Sequence, residues 1–359
     1  MKSVLIMRLT AMGDVAMAAP IVASACRANP NVHFSVLSTP LFEPFFEPLP
    51  NFTFIGTNIR KEKGGLPGLW RLFCELRARG GAEDKIPAKF DLVLDFHDVL
   101  RTKVLRNLFR MAGVRVFSVD KGRASKRELV SGRQRRQLKH MTERYADVFR
   151  SAGIEVPADR YVRSALDLPQ AAMPWAAHRA DEYWIGISPF AQHRSKMYPS
   201  DRMIRVVEGL LRRHNVRVFF FGGGSVEAEA ARLMIEAATQ NDVIAKDRCH
   251  NVINVMPLRD EMALMSHLDC MVSMDSSNMH ICSLFGVRVV SLWGGTHPFA
   301  GFLGYGQDYN DAVQRPDIDC RPCSIYGNVP CLTDDYKCFD ISPNVVIDRV
   351  FVHCKQAES

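Results

Sequence analysis

The sequence of 359 residues contains no long hydrophobic run. Its longest nearly apolar stretch, Val15 to Cys26, has twelve residues and includes Pro20. A membrane-spanning helix needs about 20 apolar residues, so none is predicted. The N-terminal sequence has Arg8 inside an apolar run and a Gly-Asp pair after it, which favours a buried first strand over a signal peptide. We therefore expect a cytoplasmic protein.

The dinucleotide-binding pattern Gly-x-Gly-x-x-Gly follows none of the predicted strands. The nearest string, Gly222 to Glu227, lacks the third glycine. This argues against a nicotinamide-dependent dehydrogenase. The most basic part of the chain has few aromatic residues and no recognised nucleic-acid motif, so we expect no nucleic-acid partner.

Acidic residues are scarce between Arg101 and Arg144, where fourteen Lys or Arg accompany only three acids. This segment has a net charge of +11, whereas the whole chain has a net charge of +7. The remainder of the chain therefore has a net charge of −4. Such a concentration predicts an anionic partner, either a phosphorylated substrate or an acidic membrane surface. A solvated helix face is the alternative explanation.

The chain has ten cysteines, and without a secretion signal they are expected to be reduced. Four of them, Cys320, Cys323, Cys331 and Cys338, fall within nineteen residues. Four thiolates at this spacing can close a structural zinc or iron site. Redox-sensitive thiols and the lack of any role are the alternatives.

Short apolar segments alternate with helical ones along the whole chain, a pattern typical of parallel sheets covered by helices. A proline-containing stretch, Asp167 to Asp181, is the best linker candidate between two similar α/β halves. Val243 to Ala245 is predicted as a further short strand. In open parallel sheets, ligands bind at the carboxyl ends of the strands, so chemistry is expected there.

Three segments at predicted strand ends carry polar residues suited to catalysis or phosphate binding. Asp14 follows the first strand and is predicted either as a general base or as a helix N-cap. The segment Asp275 to His280 opens a helix, and a helix N-terminus favours an anion. The loop Gly294 to Pro298 follows the next strand, and Lys196, on a loop after an earlier strand, could reach the same anion.

These segments resemble glycosyltransferase family 9, the ADP-heptose:lipopolysaccharide heptosyltransferases. RLTAMGDVAMAAP is similar to the family's opening Arg-x-x-x-x-Gly-Asp, and MDSSNMHICSLFGVRVVSLWGGTHP to its Asp-Ser-Gly-x-x-His…Gly-x-Thr-x-Pro signature. FDLVLDFHDVLRT resembles its acceptor-side strand, KHMTERYADVFRSAGI the helix before its linker, and the loop around Lys196 its Lys-x-Tyr/Trp-Pro motif. The resemblance runs in order from Lys2 to about Val350.

The resemblance implies a GT-B fold of two Rossmann-like domains. It implies an acceptor-binding domain at residues 1–170, a donor-binding domain at 182–341 and a C-terminal helix at 342–359 that crosses back to the first domain. Asp14 would be the catalytic base of an inverting transfer, and Lys196 would stabilise the leaving nucleoside diphosphate. The implied donor-binding residues are Ser188, Lys196, Asp275, Ser276, Ser277, His280, Gly295 and Thr296.

The acceptor implied by the resemblance is an anionic lipopolysaccharide precursor at the inner face of the cytoplasmic membrane. Its binding residues would be His97, Arg101, Lys121 and Arg123. No cofactor is expected for catalysis, because Lys196 and a helix N-terminus supply positive charge for the leaving group. Ser277 stands where the family usually has glycine, which keeps a different nucleotide sugar, or an epimerase, as an alternative. A catalytically silent saccharide- or membrane-binding protein is a third reading.

Overall fold

The computed structural model of the protein describes residues 2–59, 65–78, 89–176, 180, 182–240 and 242–352. The strands in chain order are β1 (Lys2–Met7), β2 (Val32–Ser38), β3 (Phe52–Gly56), β4 (Leu92–Asp95), β5 (Arg115–Ser118), β6 (Tyr183–Ser188), β7 (Val216–Phe220), β8 (Cys249–Asn251), β9 (Cys270–Met274), β10 (Arg288–Trp293) and β11 (Ala312–Gln314). The helices are α1 (Met12–Ala28), α2 (Gly65–Ala78), α3 (Leu100–Met111), α4 (Arg123–Val130), α5 (Met141–Ser151), α6 (Met173–Ala176), α7 (Ser200–Leu211), α8 (Gly224–Thr239), α9 (Val243–Asp247), α10 (Leu258–Ser266), α11 (Ser277–Leu284) and α12 (Pro343–Phe351).

The chain folds into two compact units. The first comprises residues 1–122 and 139–163, and the second comprises residues 123–138 and 164–359. Each is built on one parallel sheet, with strand order β3-β2-β1-β4-β5 in the first unit and β11-β10-β9-β6-β7-β8 in the second. The predicted α/β class with two parallel sheets is confirmed.

In the first unit, β1 lies at the centre of the sheet and is buried on both faces. Leu5 and Met7 pack in one core with α2 and α3. Successive strand side chains point to opposite faces, so Val4 and Ile6 face the other side of the sheet. On that side, Phe149 of α5 meets the ring of Phe34 at 6.0 Å. A strand buried on both faces reads as a continuous apolar run, which is why β1 is recognisable in the sequence.

The second unit contains a segment, residues 123–138, that the predicted division placed in the first domain. Within this segment Leu129 and Leu138 pack against Ala300, and the Nζ atom of Lys126 lies 4.3 Å from the centre of the Phe302 ring. The backbone N–H of Leu138 also donates to the carbonyl of Phe299 at 2.8 Å. The observed division therefore differs from a single boundary between residues 170 and 182, because the chain passes between the units three times.

The last described helix, α12, packs within the second unit. Its Ile347 lies against Gly209 of α7, and Arg288 donates to the carbonyl of Val350 at 3.0 Å. Residues 353–359 lie outside the described part of the chain, so the crossing of this helix to the first domain stays a prediction. No helix within the described ranges is long and apolar enough to cross a membrane.

Candidate active site

Asp14 lies where the central strand of the first sheet ends. β1 ends at Met7, α1 begins at Met12, and Asp14 occupies the first turn of that helix. The N-cap residue is Ala11, and no side chain caps the helix. The alternative reading of Asp14 as an N-cap is therefore wrong, and its carboxylate is available for another interaction at the carboxyl edge of the sheet.

That interaction is an ion pair with Arg8, whose guanidinium is almost completely buried. The other terminal nitrogen of Arg8 donates to the carbonyl of Phe96 at 2.8 Å, which fixes the guanidinium between β1 and β4. Burial lowers the pKa of Arg8, but Asp14 and neighbouring groups more than offset this, so the pKa is raised overall. Arg8 thus stays cationic and orients Asp14. A charged residue directly after an apolar strand was the sequence signal for this role.

His97 follows β4, the strand beside β1, and its ring is buried. Its backbone N–H donates to Oδ1 of Asp95 at 2.9 Å, while its Nδ1 has no hydrogen-bond partner among the described residues. Burial, reinforced by the positive charges of Arg8 and Lys121, lowers the pKa of His97 to about 3. The imidazole is therefore neutral near neutral pH, and it can exchange a hydrogen bond with an uncharged hydroxyl.

The remaining predicted acceptor residues divide between the units. Arg101 is exposed in the first turn of α3 and Lys121 is half-buried, both in the first unit, and both charges act on the pKa of His97. Arg123 is exposed at the start of α4, which belongs to the second unit. The structure thus groups His97, Arg101 and Lys121 electrostatically with Arg8 and Asp14.

Some basic residues of the segment 101–144 make ion pairs and hydrogen bonds within the first unit. Arg106 lies 3.1 Å from Asp95 and 3.1 Å from Asp98 in the first unit. Arg144 is buried and donates to the carbonyl of Asp120 at 3.0 Å. The alternative of a solvated helix face therefore does not account for these charges.

In the second unit, three predicted donor residues meet at the carboxyl edge of the sheet. The strands that carry them, β6, β9 and β10, are adjacent. The Nζ atom of Lys196 lies 3.0 Å from Oδ2 of Asp275, and the Thr296 hydroxyl donates to the same oxygen at 2.9 Å. Asp275 and Thr296 are buried, and only 15% of the Lys196 side chain is exposed. Asp275 thus holds the lysine in place at a strand end.

The start of α11 lies directly after Asp275. Ser276 is the N-cap residue, yet it makes no side-chain cap, and its hydroxyl lies 3.2 Å from that of Ser273. Asn278 donates from its amide to the hydroxyl of Ser188 at 2.9 Å, so β6 and α11 are tied together. The first N–H groups of a helix have no partner within the helix, and they attract anions. Ser277 begins this helix, and His280 is buried within it.

The loop that carries the clustered cysteines is hydrogen-bonded to the loop of Lys196 and to the loop of Thr296. The Ser195 hydroxyl donates to the carbonyl of Gly327 at 2.6 Å, and the N–H of Cys323 donates to the carbonyl of Gly295 at 2.9 Å. The buried guanidinium of Arg321 donates to the carbonyls of Gly294 at 2.5 Å and Thr296 at 2.9 Å. Sequence reasoning missed these positioning contacts, because they join residues that lie far apart along the chain.

The four clustered cysteines line one cavity of about 170 Å³, together with Ser195 and Gly295. Cys338 is buried, and burial raises its pKa to about 11. Within the described ranges, however, no three His, Cys, Asp or Glu side chains are grouped closely enough to hold a metal ion. The arrangement does not fit a bound metal as it stands.

Comparison with known proteins places this geometry in a family. Residues 84–325 match the description "Glycosyltransferase family 9 (heptosyltransferase)". The chain belongs to glycosyltransferase family 9. It is 24% identical over 168 residues to the lipooligosaccharide heptosyltransferase 2 of Campylobacter jejuni, an alignment that covers 46% of this chain and 50% of that protein. The chain thus spans about half the length of the curated relatives it matches.

Solved structures show the same fold. The chain is similar to the ADP-heptose lipopolysaccharide heptosyltransferase II of E. coli, with a TM-score of 0.68 and 17% identity over 100% of both chains. It is also similar to the E. coli heptosyltransferase WaaC solved with ADP, with a TM-score of 0.61 and 18% identity over 85% of this chain and 92% of that one. These likenesses confirm the predicted GT-B fold class of this family 9 protein.

Proposed function

We propose that this family 9 protein is an inverting heptosyltransferase. It moves a heptose from ADP-heptose to a lipopolysaccharide inner-core acceptor, Kdo-lipid A or heptosyl-Kdo-lipid A. The observation that carries the proposal is the cluster of Lys196, Asp275 and Thr296 beside the start of α11. The E. coli relative solved with ADP supports an adenine nucleotide as the donor's leaving group.

The reaction is a single displacement at the anomeric carbon of the heptose. Asp14 takes the proton of the acceptor hydroxyl, and that oxygen forms the new glycosidic bond as the bond to the diphosphate oxygen breaks. The electron pair departs with ADP, and the configuration at carbon inverts. Such a base contributes about 10²- to 10⁴-fold to the rate. Arg8 is the positioning residue that holds the carboxylate at the sheet edge.

The departing ADP gains negative charge as the bond breaks. Lys196 and the N–H groups at the start of α11 stabilise that charge, and the ligand's diphosphate replaces Asp275 as a partner of Lys196. Ser188, Ser276, Ser277, His280 and Gly295 complete the proposed donor site. Donors already in place cost no reorganisation during the reaction, so they favour the transition state.

For the acceptor, we propose that neutral His97 contacts the attacking sugar, where a neutral ring can pair with a hydroxyl. Arg101, Lys121 and Arg123 would bind Kdo carboxylates and phosphates. Guanidinium groups match carboxylates and phosphates through paired hydrogen bonds, so two of these three residues have the geometry that such acceptors require.

The decisive experiment follows ADP release from ADP-heptose with a Kdo-lipid acceptor. Asp14→Asn should abolish release while ADP still binds. Asp319→Asn is the matched control, because its side chain is 99% exposed, and it should turn over normally. Normal turnover by Asp14→Asn would show that another group is the base.

A donor screen tests the identity of the nucleotide. Thermal unfolding is followed with ADP-, GDP- and UDP-sugars. A ligand that binds only the folded state adds about 2.7 kcal/mol at a hundredfold excess over its dissociation constant. Stabilisation by UDP-sugars in preference to ADP-sugars would favour the alternative donor or an epimerase.

Two finer points remain proposals. The first is structural zinc or iron on Cys320, Cys323, Cys331 and Cys338, and elemental analysis of purified protein tests it by measuring the ratio of metal to protein. Peripheral attachment to the inner face of the cytoplasmic membrane follows from the lipid acceptor, and cell fractionation tests it. No step of the proposed reaction depends on the metal.

A further inference from the structure

Four exposed, large apolar side chains belong to the first unit near the edge that carries Asp14. Leu41 is 56% exposed, Leu66 68%, Trp70 56% and Leu100 78%. We call this set the apolar rim. Large apolar side chains usually favour burial, so a group of them at one edge of a sheet indicates an interaction surface.

The topology sets these side chains around the catalytic edge. Leu41 follows β2, Leu66 and Trp70 lie in the first half of α2 after β3, and Leu100 begins α3 after β4. In a parallel sheet, the segments that follow the strands start at the same edge. The order β3-β2-β1-β4 therefore places Asp14 within the row. Three strand spacings of about 4.8 Å spread the row over roughly 14 Å.

The charge of the rim selects an anionic partner. Helices α2 and α3 contain six Lys or Arg and one acid. Arg106 among them is paired with Asp95 and Asp98, but Arg71 and Arg101 are exposed directly beside Trp70 and Leu100 in the sequence. Helix α8 of the second unit is a useful contrast. It also exposes two apolar side chains, Val226 at 82% and Leu233 at 52%, but it has three Glu and one Arg. Exposed apolar groups and positive charge thus coincide at the rim and not on α8.

We propose that the apolar rim docks on an anionic lipid surface, with its leucines and Trp70 in the interface and the adjacent Arg71 on the lipid headgroups. Trp and Leu partition into the headgroup boundary, and nearby Lys or Arg are attracted by anionic lipids. Docking of this edge would bring Asp14 to the level of the lipid-anchored acceptor. This consequence rests on the proposed function, whereas the docking itself does not.

Vesicle co-sedimentation without donor or acceptor tests the proposal. Vesicles of equal parts phosphatidylcholine and phosphatidylglycerol should bind the wild-type protein, and pure phosphatidylcholine vesicles should bind it far more weakly. Leu66→Ser/Trp70→Ser/Leu100→Ser should weaken binding to the anionic vesicles by about tenfold or more. Arg71→Gln should weaken it less, and added salt should weaken it further because the charge contribution is screened.

The matched control is Val226→Ser/Leu233→Ser, which removes exposed apolar groups from α8 and should bind like wild type. Thermal unfolding and ADP binding show that each variant is folded, and Leu100→Ser alone replaces the triple variant if it is not. Equal vesicle binding by a folded rim variant would overturn the proposal. The proposal would also be overturned if the wild type were a dimer in sedimentation velocity and the rim variant a monomer, because the rim would then join two copies.

Turnover of a water-soluble, deacylated acceptor separates this proposal from the proposed function. We expect the rim variant to keep that activity and to lose activity on vesicle-bound acceptor. If vesicle binding behaves as described but neither acceptor is glycosylated, the proposed function fails and the docking surface stands.

Discussion

Gly327→Ala tests whether the cysteine-bearing loop positions the donor-site lysine. Gly327 has φ of +77°, and a Cβ atom at this position would lie 2.5 Å from both Cγ and Cδ of Lys196 and 3.1 Å from the Ser195 hydroxyl. No pair of carbon atoms tolerates 2.5 Å. Lys196 or the loop therefore has to shift, and this disturbs the 3.0 Å ion pair between Lys196 and Asp275.

The expected cost has two parts. A non-glycine residue in the left-handed region costs about 1–2 kcal/mol, which appears as lost stability. Displacing Lys196 removes a charged hydrogen bond to the diphosphate, worth about 1.5–3 kcal/mol. ADP should therefore bind about 10- to 150-fold more weakly.

Isothermal titration with ADP measures the loss of affinity. The control Gly132→Ala separates that loss from the backbone cost of a non-glycine residue in the left-handed region. Gly132 lies in the same unit with φ of +73°, and an added Cβ would meet no described atom within 4 Å. Gly327→Ala should lose at least as much stability as Gly132→Ala, because its Cβ also disturbs the Lys196–Asp275 ion pair, and only Gly327→Ala should lose affinity for ADP. Wild-type affinity in Gly327→Ala would refute the proposed role of Lys196 in diphosphate binding or the supporting role of this loop.

Two further predictions concern pH. Burial lowers the pKa of His97 from its ordinary 6.5 to about 3. Between these two pH values the unfolded chain binds a proton at His97, whereas the folded chain does not. Stability should fall by about 2 kcal/mol between pH 6.5 and pH 5 through this group, and His97→Gln should reduce the loss in urea titrations by that amount. Burial raises the pKa of Glu261 from 4.5 to about 7, so the folded chain keeps a proton that the unfolded chain releases as pH rises through this range. The free energy of unfolding of Glu261→Gln should therefore exceed that of the wild type by about 3 kcal/mol above pH 7, and the two should be similar at pH 4.5. Equal melting curves at pH 8 would contradict this.

Buried parallel strands were predictable because their sequences are continuous apolar runs. The sequence predicts strands at 270–274 and 287–293, and β9 (Cys270–Met274) and β10 (Arg288–Trp293) match them to within a residue. The segment 243–245 was predicted as a short strand, and this was wrong. It forms α9, because the Asp242 side chain accepts a hydrogen bond from the N–H of Ala245 and caps the helix. A local cap overrode propensity there.

The candidate site was predictable in its strand-end residues and not in their supports. Lys196, Asp275 and Thr296 each follow an apolar strand, so the carboxyl-edge rule brings them together. The supports depend on contacts between distant residues, such as the Ser195–Gly327 hydrogen bond across 132 positions. Such pairings follow from loop paths, which no periodicity in the sequence encodes.

The packing of residues 123–138 inside the second unit has a consequence for limited proteolysis. A single cut between Asp167 and Asp181 would divide the chain into two fragments. Leu129 and Leu138 of the N-terminal fragment would still pack against Ala300 of the C-terminal fragment. The nicked protein should run as two bands under denaturing conditions and elute as one particle under native ones. Separate expression of the two halves at that cut would leave the C-terminal half without a piece of its own core.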